Sequence, residues 1–224
     1  YLEGVRELPR QHGVLLAFDE VKTGLVVGWG GATRLFGVTP DIVCLAKALG
    51  GGLPCGAIGG TEEVMGAITS GVYDQIGTFN GNPLTMAAAK ATLLEVLTPQ
   101  VYETAAELGR HMLAGSSAAL AAHGVPSYGA VFGFKGSVVF HDRAARNYRE
   151  FLAISTALSH LHFLVQFNGG VFLPPWGKSE SWTLSVGHSV VDGDRYTANV
   201  ARLAEMAASL GDRSSALFAS GTYN

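Results

Sequence analysis

Cysteine is nearly missing: Cys44 and Cys55 are the only two in 224 residues. Both lie in apolar stretches, with no CxxC spacing and no histidine cluster beside them. That excludes a disulfide-stapled scaffold and a structural zinc site, and reads as two buried thiols in a reducing compartment. Charge is scarce too. Asp, Glu, Lys and Arg make up 15% of the chain and the net charge is −3. No basic face is available to hold nucleic acid or an anionic membrane. No apolar run approaches the ~18 residues that would suggest a bilayer span, and no secretory signal is legible. A soluble, cytoplasmic protein without nucleic-acid or membrane partners is the expectation. The seven histidines show no metal-ligand spacing, so no metal is expected.

What the chain has is apolar mass and glycine. Apolar residues reach 48% and glycines number 30, enough for a sizeable core and one large domain or one and a half smaller ones. The glycines gather in Gly28–Gly31, Gly50–Gly60 and Gly77–Gly81, where backbone must turn sharply or approach a ligand.

The pattern predicts a helix over Tyr1–Gln11, then a strand over Val14–Phe18. That strand is apolar on both faces, as a central parallel strand is. A short helix follows at Ala32–Phe36, a turn at Thr39–Asp41, and buried strands at Ile42–Ala46 and Cys55–Gly59. Thr61 reads as the cap of a helix over Glu62–Ile68. Pro83 reads as the first residue of a long helix to Leu97. A second helix covers Val101–Ala122. Beyond Val125 the pattern becomes α+β. Short strands are expected at Val131–Phe134, Ser137–Phe140, Val171–Leu173 and Thr183–Val186, and helices at Tyr148–Leu161 and Val191–Leu210. The division is 1–98, a connecting helix 99–123, a small domain 124–213 and a loose tail 214–224.

Three places carry chemistry. Asp19 closes the first strand, at the end where α/β sheets bind ligands. A buried carboxylate there needs a cationic partner. Lys47 follows the second strand and precedes Gly50-Gly51-Gly52-Leu53-Pro54. A lysine in apolar surroundings is a ready nucleophile. Gly77-Thr78 can offer an N–H and a hydroxyl to a phosphate. Glu20 faces away from Asp19 on an extended chain and is left unassigned, open to pairing with an arginine or lying near substrate. Arg143, Arg146 and Arg149 read as a solvated helix face, and Val171–Trp176 as core or a pocket wall.

The strings Phe18-Asp19-Glu20-Val21-x-Thr23-Gly24, Lys47-Ala48-Leu49-Gly50-Gly51-Gly52 and Gly77-Thr78-Phe79-x-Gly81-Asn82-Pro83-Leu84 together resemble the class III aminotransferases. These are pyridoxal-phosphate enzymes of fold type I. The likeness is nearest the glutamate-1-semialdehyde aminomutase branch and its amino-acid transaminase relatives, and runs from about Gly13 to Leu97. The resemblance implies an α/β fold: part of a mainly parallel large-domain sheet plus a small α+β C-terminal domain. It implies that Lys47 holds pyridoxal 5'-phosphate as a Schiff base and moves protons, that Asp19 partners the pyridine nitrogen, and that Val21 lies against the ring. It implies that Gly77 and Thr78 serve the phosphate of a neighbouring subunit, in a homodimer with shared sites.

Relatives are about twice as long, and their first half carries part of the cofactor site. A chain opening at Tyr1, mid-helix and without methionine, is therefore expected to be a piece of a longer polypeptide. The reaction implied is transfer of an amino group from an amino acid or amino ketone to a keto acid. A 2,1-aminomutase, an epimerase and a non-catalytic truncated chain stay open.

Overall fold

The computed structural model describes residues 1–174, 177–179 and 182–210. The chain divides into two units, Tyr1–Glu103 and Thr104–Asn224. The expected tail 214–224 lies outside the described residues.

In the first unit, helix α1 (Leu2–Gln11) leads to strand β1 (Ala17–Asp19). Strand β1 pairs in parallel with β2 (Ile42–Leu45), with Ala17 opposite Ile42 and Asp19 opposite Cys44. Strand β3 (Ala57–Gly60) runs antiparallel to β2, giving the order β1-β2-β3. Asp41 ties this arrangement together. Its Oδ2 accepts from the Arg6 guanidinium at 2.7 Å and from the Leu16 N–H at 2.7 Å. Those two donors, Arg6 first, hold the Asp41 carboxyl below the usual carboxylate range.

The first strand departs from expectation. It is three residues long, and Val14 and Leu15 are each 57% exposed. Leu16 is buried and Phe18 half-buried, while Ala17 and Asp19 are exposed. Burial therefore alternates, because β1 is an edge strand of this sheet with one face covered. The apolar run shows which residues avoid water but not which faces find a cover.

Helix α2 (Gly31–Phe36) precedes β2. A 3-10 turn, Lys47–Gly50, follows it. Helix α3 (Glu62–Thr69) is capped as expected by Thr61, whose hydroxyl accepts from the Val64 N–H. Helix α4 (Pro83–Ala91) is capped by Asn82, whose Oδ1 accepts from the Thr85 N–H at 3.0 Å. The helix expected to reach Leu97 does run on to Val96, but its last residues, Thr92–Val96, form a π turn, closed by Leu97 N–H to the Thr92 carbonyl at 2.9 Å. Helix α5 (Pro99–Ala122) starts immediately afterwards, and the division between the units falls within it. The Tyr102 hydroxyl donates to the Leu25 carbonyl at 3.1 Å.

In the second unit, strands β4 (Tyr128–Phe132) and β5 (Lys135–Val139) form a hairpin. Strand β6 (Trp182–Thr183) adds to β5, giving the order β4-β5-β6. Val171–Leu173 is not a strand. The helix expected over Tyr148–Leu161 is two, α6 (Tyr148–Leu152) and α7 (Thr156–Asn168), because the Ser155 hydroxyl takes the Leu158 N–H and restarts the ladder. Helix α8 (Val190–Ser209) opens with a capping box between Ser189 and Asp192. Its buried face, Tyr196, Val200, Leu203 and Ala204, belongs to a core with Leu120, Phe140, Ile154 and Leu158. Each large apolar side chain fully buried there is worth about 1.5–3 kcal/mol.

A polar strand runs through that core. Gln166 donates to the Tyr196 carbonyl at 3.0 Å and accepts from Asn199 at 3.0 Å, and His162 sits one turn before it. The rings of Phe140 and Tyr196 meet the His162 imidazole edge-on, each at 5.6 Å. Burial pushes that imidazole from 6.5 down to about 4. His162 is thus neutral in the fold and takes a proton more readily once unfolded. Its contribution to stability is complete above the unfolded value and is lost as pH falls from 6.5 through about 4, a total of about 3 kcal/mol. Melting temperature should fall between pH 6.5 and 5, and His162→Leu should flatten that slope. Thermal denaturation of both proteins across this range checks it; equal slopes would contradict the assignment.

Candidate active site

Parallel pairing brings the C-terminal ends of β1 and β2 to one edge of the sheet. Asp19 is the last residue of β1, and Lys47 stands two residues past the end of β2. Both side chains are exposed. The burial expected of the two side chains is not seen in this chain, which leaves both of them open to solvent. The Asp19 Oδ1 accepts from the Val21 N–H at 3.0 Å, a local turn contact. Among the described residues neither the Asp19 carboxylate nor the Lys47 amine forms an ion pair.

Glu20 is the buried carboxylate. Its Oε2 accepts from the Thr23 hydroxyl at 3.0 Å and the Ala32 N–H at 2.7 Å. Its Oε1 accepts from the N–H and the hydroxyl of Thr33, both at 2.8 Å. Burial alone raises its carboxyl pKa, but the backbone N–H groups of Ala32 and Thr33, with the hydroxyls of Thr33 and Thr23, hold it below its usual value. Among the described residues Glu20 therefore pairs with no arginine, and it points into the unit, closing the loop between β1 and α2. Strand alternation hinted at its direction; its partners lie too far along the chain to be read from local pattern.

The chain turns after Glu20, with Gly24 N–H bonded to the Glu20 carbonyl at 2.9 Å. Val21 therefore does not continue the strand in line with Asp19, as an extended chain would place it. It is half-buried at the start of that turn.

Lys47 has a backbone distinction that sequence reasoning missed. Its φ is +52°, the only positive value on a non-glycine residue among those described. A left-handed conformation costs an L-residue about 1–2 kcal/mol, and such strain gathers at functional sites. Gly51 and Gly52 follow with φ of +57° and +102°. The glycine run thus serves a turn that Lys47 itself enters left-handed.

Gly77 and Thr78 lie in a fully exposed loop, closed by Asn80 N–H to the Gly77 carbonyl at 2.9 Å. A cavity of about 900 Å3 in the first unit is bordered by Leu49, Cys55, Phe79, Asn80, Asn82 and Met86 among others. Asp19, Lys47 and Thr78 do not line it. The structure brings Asp19 and Lys47 to one strand-end edge and leaves Thr78 on separate loop surface. In the second unit, Val171–Pro174 border a cavity of about 350 Å3 with Tyr196 and His188; Pro175 and Trp176 lie outside the described residues. Among the described residues no cluster of His, Cys, Asp or Glu could hold a metal ion, and no helix is long and apolar enough to cross a membrane.

An exposed amine and an exposed carboxylate, both unpaired, at the carboxyl edge of two parallel strands form a site of the type found in α/β enzymes. The pattern of the family Aminotransferase class-III matches residues 1–157, and the chain belongs to that family. It is 41% identical over 196 residues to the glutamate-1-semialdehyde 2,1-aminomutase of Syntrophobacter fumaroxidans, a match covering 87% of this chain and 45% of that protein. Among solved structures it resembles a β-phenylalanine aminotransferase from Variovorax paradoxus, with TM-score 0.82 and 30% identity, covering 93% of this chain and 48% of that one. It also resembles a glutamate-1-semialdehyde aminomutase from Pseudomonas aeruginosa PAO1 in complex with PMP, with TM-score 0.79 and 26% identity, covering 91% and 47%. The chain thus spans about half the length of the relatives it matches, and its fold is that of the fold type I transaminases.

The strain at Lys47 is measurable without any ligand. Glycine tolerates positive φ where alanine does not. Lys47→Gly should therefore be more stable than Lys47→Ala by about 1 kcal/mol, the reverse of the order in a helix interior. Urea denaturation of the two variants checks this; Lys47→Ala equal to or above Lys47→Gly would contradict it.

Proposed function

We propose that this chain carries the lysine and aspartate of a pyridoxal 5'-phosphate site in an aminotransferase. The observation that carries the reading is the pairing of a left-handed, exposed Lys47 with an exposed Asp19 at one strand-end edge. Family membership and the complex of the Pseudomonas relative with PMP support it.

The residues fit the group. The free Lys47 amine would hold the cofactor covalently. The Asp19 carboxylate would keep a proton on the pyridine nitrogen, and an exposed acid with only a local backbone bond is available for that. Val21 would lie against the ring, and Gly77 and Thr78 would donate an N–H and a hydroxyl to the phosphate of a second copy's cofactor. When bound, the cofactor supplies an electron sink conjugated with the substrate's reacting carbon. Lys47, released on exchange with the substrate amine, would take the proton from that carbon and return it as general base and acid.

The substrates would be an amino donor and a keto acceptor in a soluble, cytoplasmic enzyme. The partner would be a second copy of the chain. The first unit leaves Val72, Ile76, Phe79, Leu84 and Leu94 between 68% and 84% exposed, an apolar surface of the kind that interfaces cover.

A 2,1-aminomutase, moving the amino group within one molecule, has equal support, because the relative at 41% identity carries that name. Assay of the protein with pyridoxal phosphate separates the two. Turnover of glutamate-1-semialdehyde without a keto acid indicates the mutase; turnover that requires a keto acid indicates the transferase. No turnover in either assay would contradict both. On either reading Asp19→Asn should melt within a few degrees of wild type while losing activity about 1,000-fold, equal to about 4 kcal/mol. Activity within about threefold of wild type would leave Asp19 as a turn residue only.

A further inference from the structure

We propose that Thr92 is a positioning residue for Lys47, acting through Gly51. The proposal rests on the reading that Lys47 is the cofactor lysine. Lys47 is the joint between two fixed pieces. On one side β2 is held between β1 and β3. On the other, the turn Lys47–Gly50 is pinned by the Leu49 N–H to the Ala46 carbonyl and the Gly51 N–H to the Ala48 carbonyl, both at 3.1 Å, and buries Leu49.

Gly51 sits against the junction of α4 and the π turn. A Cβ placed on it would collide with the Thr92 hydroxyl and stand 3.5 Å from the Ala88 carbonyl oxygen. Gly50 is closed off on its own side, where a Cβ would stand 3.0 Å from that of Cys55. The lysine turn is thus wedged, and its residual freedom lies at Lys47, which takes the left-handed angle.

The π turn begins at Thr92, with its closing bond from the Leu97 N–H to the Thr92 carbonyl. The π turn is the last turn of the helix that opens at Pro83. Here its first residue presents the side chain that fills the space beside Gly51. With that side chain in place the turn cannot move toward α4. Without it Gly51 can shift, and Lys47 can relax toward the right-handed region. The Cβ direction of Lys47 would then change, and its amine would leave the position that the strain selects. A displacement near 1 Å at a reacting group can lower a rate about 100-fold.

The test needs a readout that neither cofactor nor general stability can mimic. In the wild-type background Lys47→Gly and Lys47→Ala differ in urea midpoint because Lys47 is left-handed. In a Thr92→Ala background that gap should shrink by half or more, and Thr92→Ser, which keeps the hydroxyl, should restore most of it. In parallel, Thr92→Ala on an otherwise wild-type protein loaded with pyridoxal phosphate should lower kcat at least tenfold with KM within about twofold. Thr92→Ser should recover it. A gap of unchanged size in Thr92→Ala, or a loss of stability with unchanged kcat, overturns the positioning role. Full turnover by Lys47→Ala would instead overturn the cofactor-lysine reading, and the positioning role with it. The two failures therefore have different signatures.

Discussion

The Glu20 carboxylate is buried where β1 ends, and donors from Thr23, Ala32 and Thr33 close on it. A buried carboxylate without such donors would carry a penalty of several kcal/mol. With them it stays ionised and draws the loop Val21–Gly30 and the start of α2 onto the end of the strand. Its consequence for chemistry is indirect. Side chains alternate along a strand, so fixing Glu20 inward fixes Asp19 outward. The acid offered to a ligand is set in direction by the acid withheld from it.

The same division of labour appears at the end of β2. Cys44 pairs with both neighbours, Leu45 with β3 alone, and Ala46 is still extended. The backbone then turns over the six residues from Lys47 to Gly52. The turn is paid partly by glycines, at Gly51 and Gly52, and partly by Lys47, which as an L-residue does not favour the angle it adopts. Strain is held where the surrounding packing over-determines it. In this unit the packing comes from a helix that ends in a π turn rather than from the strand that carries the lysine.

Much of this was legible in the residues. Thr61 and Asn82-Pro83 announce helix starts by their capping chemistry, and those helices begin there. The fold type followed from three strings centred on Asp19, Lys47 and Thr78. What was not legible depended on distant neighbours. Val14–Phe18 is apolar throughout, yet one-sided, because periodicity cannot show which face another element covers. Pro83–Leu97 has helical spacing to its end, and nothing in that spacing marks Thr92 as the start of a wider turn. The break at Ser155 within Tyr148–Leu161 was likewise not read from the residues; it shows only in the bond its hydroxyl accepts from the Leu158 N–H. Apolar neighbours in sequence suggested burial of Asp19 and Lys47, which the residues of this chain by themselves do not supply.

The central claim is that Lys47 is the residue to which a cofactor is joined. Borohydride reduction of the purified protein after loading with pyridoxal 5'-phosphate, followed by peptide mapping, tests it directly. The account predicts one labelled peptide, with the added mass on Lys47. A label on Lys22, Lys90 or another lysine, or none after full loading, would contradict it.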